Sequence, residues 1–92
     1  MALQKKSKTE QKLPKWFKGV IYKEGAEVTN PFSGESYELT GVELSLYDFI
    51  IGCQMVFDTV PNSMTSKRIN EFQKALHWFR VNNPDAYYVL LD

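Results

Sequence analysis

Ninety-two residues with one cysteine, Cys53, bound this chain to a single domain with no intrachain disulfide and no cysteine-built metal cage. A compact chain of this size buries about 64% of its extended surface, and six Phe, five Tyr and two Trp supply a core with some aromatics to spare. The formal net charge of zero hides a partition. Up to residue 18, six lysines face one glutamate, a net of +5; beyond it, five cations face ten carboxylates, a net of −5.

Residues 1–13 lack periodicity and apolar content and are expected to form a disordered basic arm, with residues 14–92 as one small domain. Lysines with no apolar run after them do not make a secretory signal. Lys15-Trp16-Phe17-Lys18 interleaves aromatics with cations. Together with Lys5, Lys6, Lys8 and Lys12, that pattern is a candidate contact for nucleic acid or another anion, bases stacking on the rings while lysines meet phosphates. The competing reading, favoured here, is a solvated tail whose Trp16 and Phe17 clasp the core.

Val20-Ile21-Tyr22 reads as a first short strand and Lys23-Glu24-Gly25 as a turn, with Gly25 free to take positive φ. Ala26–Thr29 reads as a second strand. Asn30-Pro31-Phe32-Ser33-Gly34-Glu35 is the strongest turn signal in the chain: Pro31 presets φ and Gly34 accepts a left-handed closing position. Ser36–Leu39 alternates polar and apolar as a third strand. Such a three-stranded antiparallel meander needs a helix across it.

That helix is expected over Val42–Val60, introduced by Thr40 and Glu43 at capping-box spacing. Val42, Leu46, Phe49, Ile50, Cys53, Val56, Phe57 and Val60 follow one apolar stripe, and Leu44, Tyr47, Ile51 and Met55 follow a second. A surface helix needs one stripe; a helix with two must be covered from two directions, by its own chain or by another. Glu43, Asp48, Gln54 and Asp58 exclude a simple membrane span. Gly52, mid-helix, costs about 1 kcal/mol relative to alanine and marks either a bend or a close backbone approach. Val60–Ser63 breaks the chain. A second helix runs from Thr65 or Ser66 to about Val81 on the single stripe Ile69, Phe72, Ala75, Leu76, Phe79. Asn83 as N-cap and Pro84 at the first helical position start a short final helix carrying Tyr87 to Leu91, expected to close the core.

No constellation points to catalysis or to a cofactor. His77 has no acidic residue three or four positions away, Cys53 lies on an apolar stripe, and Asp48 has no carboxylate partner at helical spacing. Gly34 is not followed by the Gly-Lys-Ser/Thr of a phosphate loop. Trp78, off the centre of the Phe72/Phe79 face, is either a core flank or an anchor for another protein.

Asn30-Pro31-Phe32-Ser33-Gly34-Glu35, Tyr47-Asp48-Phe49-Ile50, Trp78-Phe79 with Asn82-Asn83-Pro84, and the closing Leu90-Leu91-Asp92 resemble small uncharacterised proteins of tailed bacteriophages infecting marine cyanobacteria. The resemblance spans roughly residues 15–92 and brings no activity with it. It implies residence in the cytoplasm of an infected bacterium or in the virion.

The expected protein is an α+β domain, an N-terminal antiparallel meander packed on a helical hairpin with a short C-terminal helix. Its expected function is non-enzymatic: interaction or assembly, as a virion component or a modulator of a host protein, with Phe32, Trp78, Tyr87 and Tyr88 as interface residues. Its partner would be a protein or a second copy. The alternative is a nucleic-acid-binding accessory protein acting through the basic arm. No membrane, metal or small-molecule substrate is expected.

Overall fold

A computed structural model describes residues 11–91 of the chain. A two-stranded antiparallel hairpin, β1 (Ala26–Thr29) and β2 (Ser36–Leu39), precedes the helices α1 (Gly41–Thr59) and α2 (Ser66–Asn82). The short helix α3 (Pro84–Ala86) then runs on as a π-helical turn, Tyr87–Leu91. The class is α+β, with the sheet ahead of the helices as the residue patterns require.

The register pairs Ala26 with Leu39 and Val28 with Tyr37, while Glu27 faces Glu38 and Thr29 faces Ser36. Alternation places Val28, Tyr37 and buried Leu39 toward the helices and leaves both glutamates in water. Val20–Tyr22 does not extend this sheet, so the meander is a hairpin. The Tyr22 N–H is used instead on the Ser45 hydroxyl, 2.9 Å away. This lays the segment along the start of α1 and leaves Val20 and Ile21 exposed. Gly25 also differs from expectation. Gly34, at φ 79°, is the one glycine with positive φ among the described residues. Gly25 is required for closeness, because a Cβ there would fall 1.8 Å from the Leu39 carbonyl oxygen.

The Thr40 hydroxyl accepts the Glu43 N–H at 3.2 Å and the Glu43 carboxylate accepts the Thr40 N–H at 2.9 Å, so the capping box forms at the start of α1. At the other end, Pro61 has no N–H to continue the ladder. Val60 leaves helical geometry (φ −139°, ψ 68°), and a single 3-10 turn over Pro61–Ser63 leads into α2, capped by the Thr65 hydroxyl. The two helices form a hairpin with Phe57 edge-on to Phe72 at 5.3 Å. Asn83 caps α3 through its side chain, with Pro84 at the first position.

The core gathers Phe17, Leu39, Leu46, Ile50, Ala75, Phe79, Ala86 and Leu90, with Cys53 also buried. Leu90 closes it from the C-terminal turn, as the terminal apolar run requires. The domain begins earlier than Pro14: Leu13 packs on the core and Gln11 is hydrogen-bonded within it. The expected disorder of residues 1–10 lies outside the described residues.

Candidate functional site

Three places gather the chemistry-bearing side chains. The first is a buried polar buckle around Glu43, which has no solvent contact. One carboxylate oxygen accepts from Gln11 Nε2 at 2.7 Å and from Asn83 Nδ2 at 2.8 Å, while the other takes the Thr40 N–H. Thr40 donates its hydroxyl proton to Gln11 Oε1 at 2.9 Å, which closes a ring of bonds. The Ala86 N–H and the Tyr37 hydroxyl both donate to Asn83 Oδ1, at 3.2 and 3.4 Å, turning its amide nitrogen toward Glu43. One carboxylate thus ties together the N-terminal segment, the head of α1 and the α2–α3 junction. The carboxylate is sealed from water and each of its bonds comes from a neutral donor, which makes the buckle a fully satisfied buried polar network. Tyr37 at the margin titrates above the ordinary tyrosine value, from burial first and then from the charges of Asp85 and Glu43.

The second place is the hairpin tip. The Asn30 N–H donates to the Glu35 carbonyl and the Gly34 N–H to the Asn30 carbonyl, each at 2.8 Å. Asn30 Oδ1 also accepts the Phe32 N–H at 2.8 Å, and Ser33 Oγ accepts the Glu35 N–H. The Asn30 amide nitrogen then donates to the Val89 carbonyl at 2.9 Å, bracing the tip against the C-terminal turn. This braced loop holds Phe32 96% exposed. Phe32, with Asn30 and Pro31, forms one wall of a groove of about 280 Å³ whose other walls are Tyr47, Ile51 and Gln54 of α1 and Leu90 and Leu91. Tyr47 and Ile51 belong to the second apolar stripe, and burial pushes the Tyr47 phenol up from its ordinary pKa. That stripe is half-covered at Leu44, Tyr47 and Ile51 and bare at Met55, which is 63% exposed.

The third place is the N-terminal clasp. Trp16 and Phe17 both meet Phe49 at 5.8 Å between ring centroids. Phe17 is buried in the core, so its ring is not offered to a base; Trp16 is half-buried. Lys12, Lys15 and Lys18 are exposed, while Lys5, Lys6 and Lys8 lie outside the described residues. Trp16 and half-buried Trp78 line one cleft of about 570 Å³ over the outer side of α2.

The four expected interface residues therefore do not share one face. Phe32 and the C-terminal turn are brought together by Asn30, whereas Trp78 joins Trp16. Tyr88 is 68% exposed, and half-buried Tyr87 carries the Arg80 guanidinium over its ring at 5.6 Å. Asp48 and His77 are exposed. Burial pushes the Cys53 thiol up, against the pull of Arg68. That arginine, also 5.6 Å from the Phe49 ring, arrives from α2 and has no signal in the residues around Cys53. Among the described residues no three His, Cys, Asp or Glu side chains stand together as a metal site, and no helix is long and apolar enough to cross a membrane.

No family model, curated protein or solved structure matches the chain. The reading of function therefore rests on these three places.

Proposed function

We propose that this is a non-enzymatic assembly protein that associates with a second copy of itself through the hairpin tip and the second stripe of α1. The observation that carries this is Phe32, 96% exposed on a loop braced to the rest of the fold, in the wall of a groove on a half-covered helix. A rigidly presented aromatic loses little freedom on binding and makes an effective anchor. The groove, at about 280 Å³, is below the range of roughly 300–1,000 Å³ usual for small-molecule sites. It has room for a side chain. A knob and a hole on one face of the same chain are what a two-fold interface needs, each copy filling the other. The phage-like wording of the Asn30–Glu35 turn gives this a setting, a virion component or a modulator of a host protein.

Sedimentation equilibrium of the full chain over a dilution series tests the proposal. The weight-average mass should rise from one copy toward two, and Phe32→Ser should weaken association about 30-fold, the ~2 kcal/mol of an aromatic anchor. A chain that stays single at every concentration overturns self-association.

A second reading is favoured by exposed Lys12, Lys15 and Lys18 leading into a lysine-rich arm on an otherwise acidic chain. On it the arm binds nucleic acid in a salt-dependent manner. Removing residues 1–18 would also take Gln11 from the Glu43 buckle and Phe17 from the core. Neutralising exposed Lys12, Lys15 and Lys18 is the cleaner test, and unchanged affinity would remove this reading.

A further inference from the structure

The Trp16/Trp78 cleft has features that self-association does not use. One wall is Pro14 and Trp16 of the N-terminal segment; the other is the outer side of α2, where exposed Asn70, Gln73, Lys74 and His77 flank Trp78. Its volume of about 570 Å³ falls within the range of ligand sites. None of its lining residues is acidic, although the chain beyond residue 18 carries twice as many carboxylates as cations. Lys12 and Lys15 stand on either side of Pro14 in sequence, so the cleft opens where the basic arm joins the domain.

Indole rings offer surfaces on which a planar base can stack, amides can pair with base edges, and lysine and histidine can meet phosphate. A duplex hides its base faces, whereas a single strand presents them. We infer that this cleft is a binding site for single-stranded nucleic acid, a base held between the Trp16 and Trp78 sides and the backbone steered toward Lys74 and exposed Lys12 and Lys15. The inference rests on the second reading above and sharpens it, because an arm acting alone would take single and double strands through charge only.

Both tryptophans of the chain line the cleft, so tryptophan emission, excited at wavelengths that the five tyrosines do not absorb, reports on this site. The full chain is titrated with a short oligothymidylate, with a duplex of equal charge and with an oligoglutamate peptide, at low and at moderate salt. The expected result is quenching by the single strand, at least tenfold tighter than binding to the duplex and without quenching by the peptide. Lys74→Glu, an exposed change that leaves the core intact, should weaken the single-strand titration several-fold. A variant with Lys12, Lys15 and Lys18 changed to Gln should lose affinity for both strand forms while keeping the preference. Equal binding of both strand forms without a change in emission overturns the cleft and leaves the arm reading standing. Equal quenching by the acidic peptide overturns base stacking. Absence of binding at low salt overturns both.

Discussion

The two ends of α1 are built from equally apolar sequence yet meet opposite fates. Its first half, from Val42 to Ile50, is mostly covered: Glu43, Ser45, Leu46 and Ile50 are buried beneath the hairpin, the N-terminal segment and α2, Leu44 and Tyr47 are half-covered, and Asp48 is exposed. Its second half has α2 on one flank, through Phe57 on Phe72, and little else, so Met55, Val56 and Val60 remain exposed. The difference is one of supply. The Gln11 segment and the α2–α3 junction are drawn to one end of the helix by a single carboxylate, and among the described residues little covers the other. Apolar surface that a fold cannot cover is surface left for docking.

Breaking the closed end should have the largest effect. Glu43→Ala removes the acceptor of three donors and strands the amides of half-buried Gln11 and buried Asn83, and a buried donor left without its partner costs about 1–3 kcal/mol. Denaturant unfolding should show that loss, a large share of the stability of a domain this small. A loss below about 1 kcal/mol would mean the buckle does not hold the closed end together. The open end should respond in the opposite sense. A Cβ at Gly52 meets nothing within 4 Å, so Gly52→Ala should raise stability by up to about 1 kcal/mol in thermal melts. A destabilised variant would show that something covers that side of the helix.

The contrast between the ends also shows which parts of the fold were legible beforehand. Thr40 and Glu43 announce a helix start by spacing alone, as do Asn83 and Pro84, and Gly34 announces its turn, because caps and turns are decided within a few residues. That Glu43 would also bind Gln11 and Asn83, 32 and 40 positions away, has no local signal. Nor does the diversion of Val20–Tyr22 from the sheet, which depends on Ser45 offering its hydroxyl to the Tyr22 N–H. At the candidate site, the Asn30–Glu35 turn was readable and Phe32 at its tip stood out as a candidate contact residue, while its near-complete exposure is a finding of the fold. The bracing by Val89 and the pairing of Trp16 with Trp78 across one cleft arise from chain segments brought together only in the folded state.

The central claim is that the half-covered second stripe of α1 and the braced Phe32 form one docking face for a second copy. Amide correlation spectra of the full chain, recorded from dilute to concentrated solution, address it residue by residue. The account predicts shifts and broadening that grow with concentration at Asn30, Phe32, Ser33, Gly34, Tyr47, Ile51 and Leu91 and leave the Glu43 buckle unmoved. Spectra that superimpose across the series, or changes centred elsewhere on the surface, would contradict it.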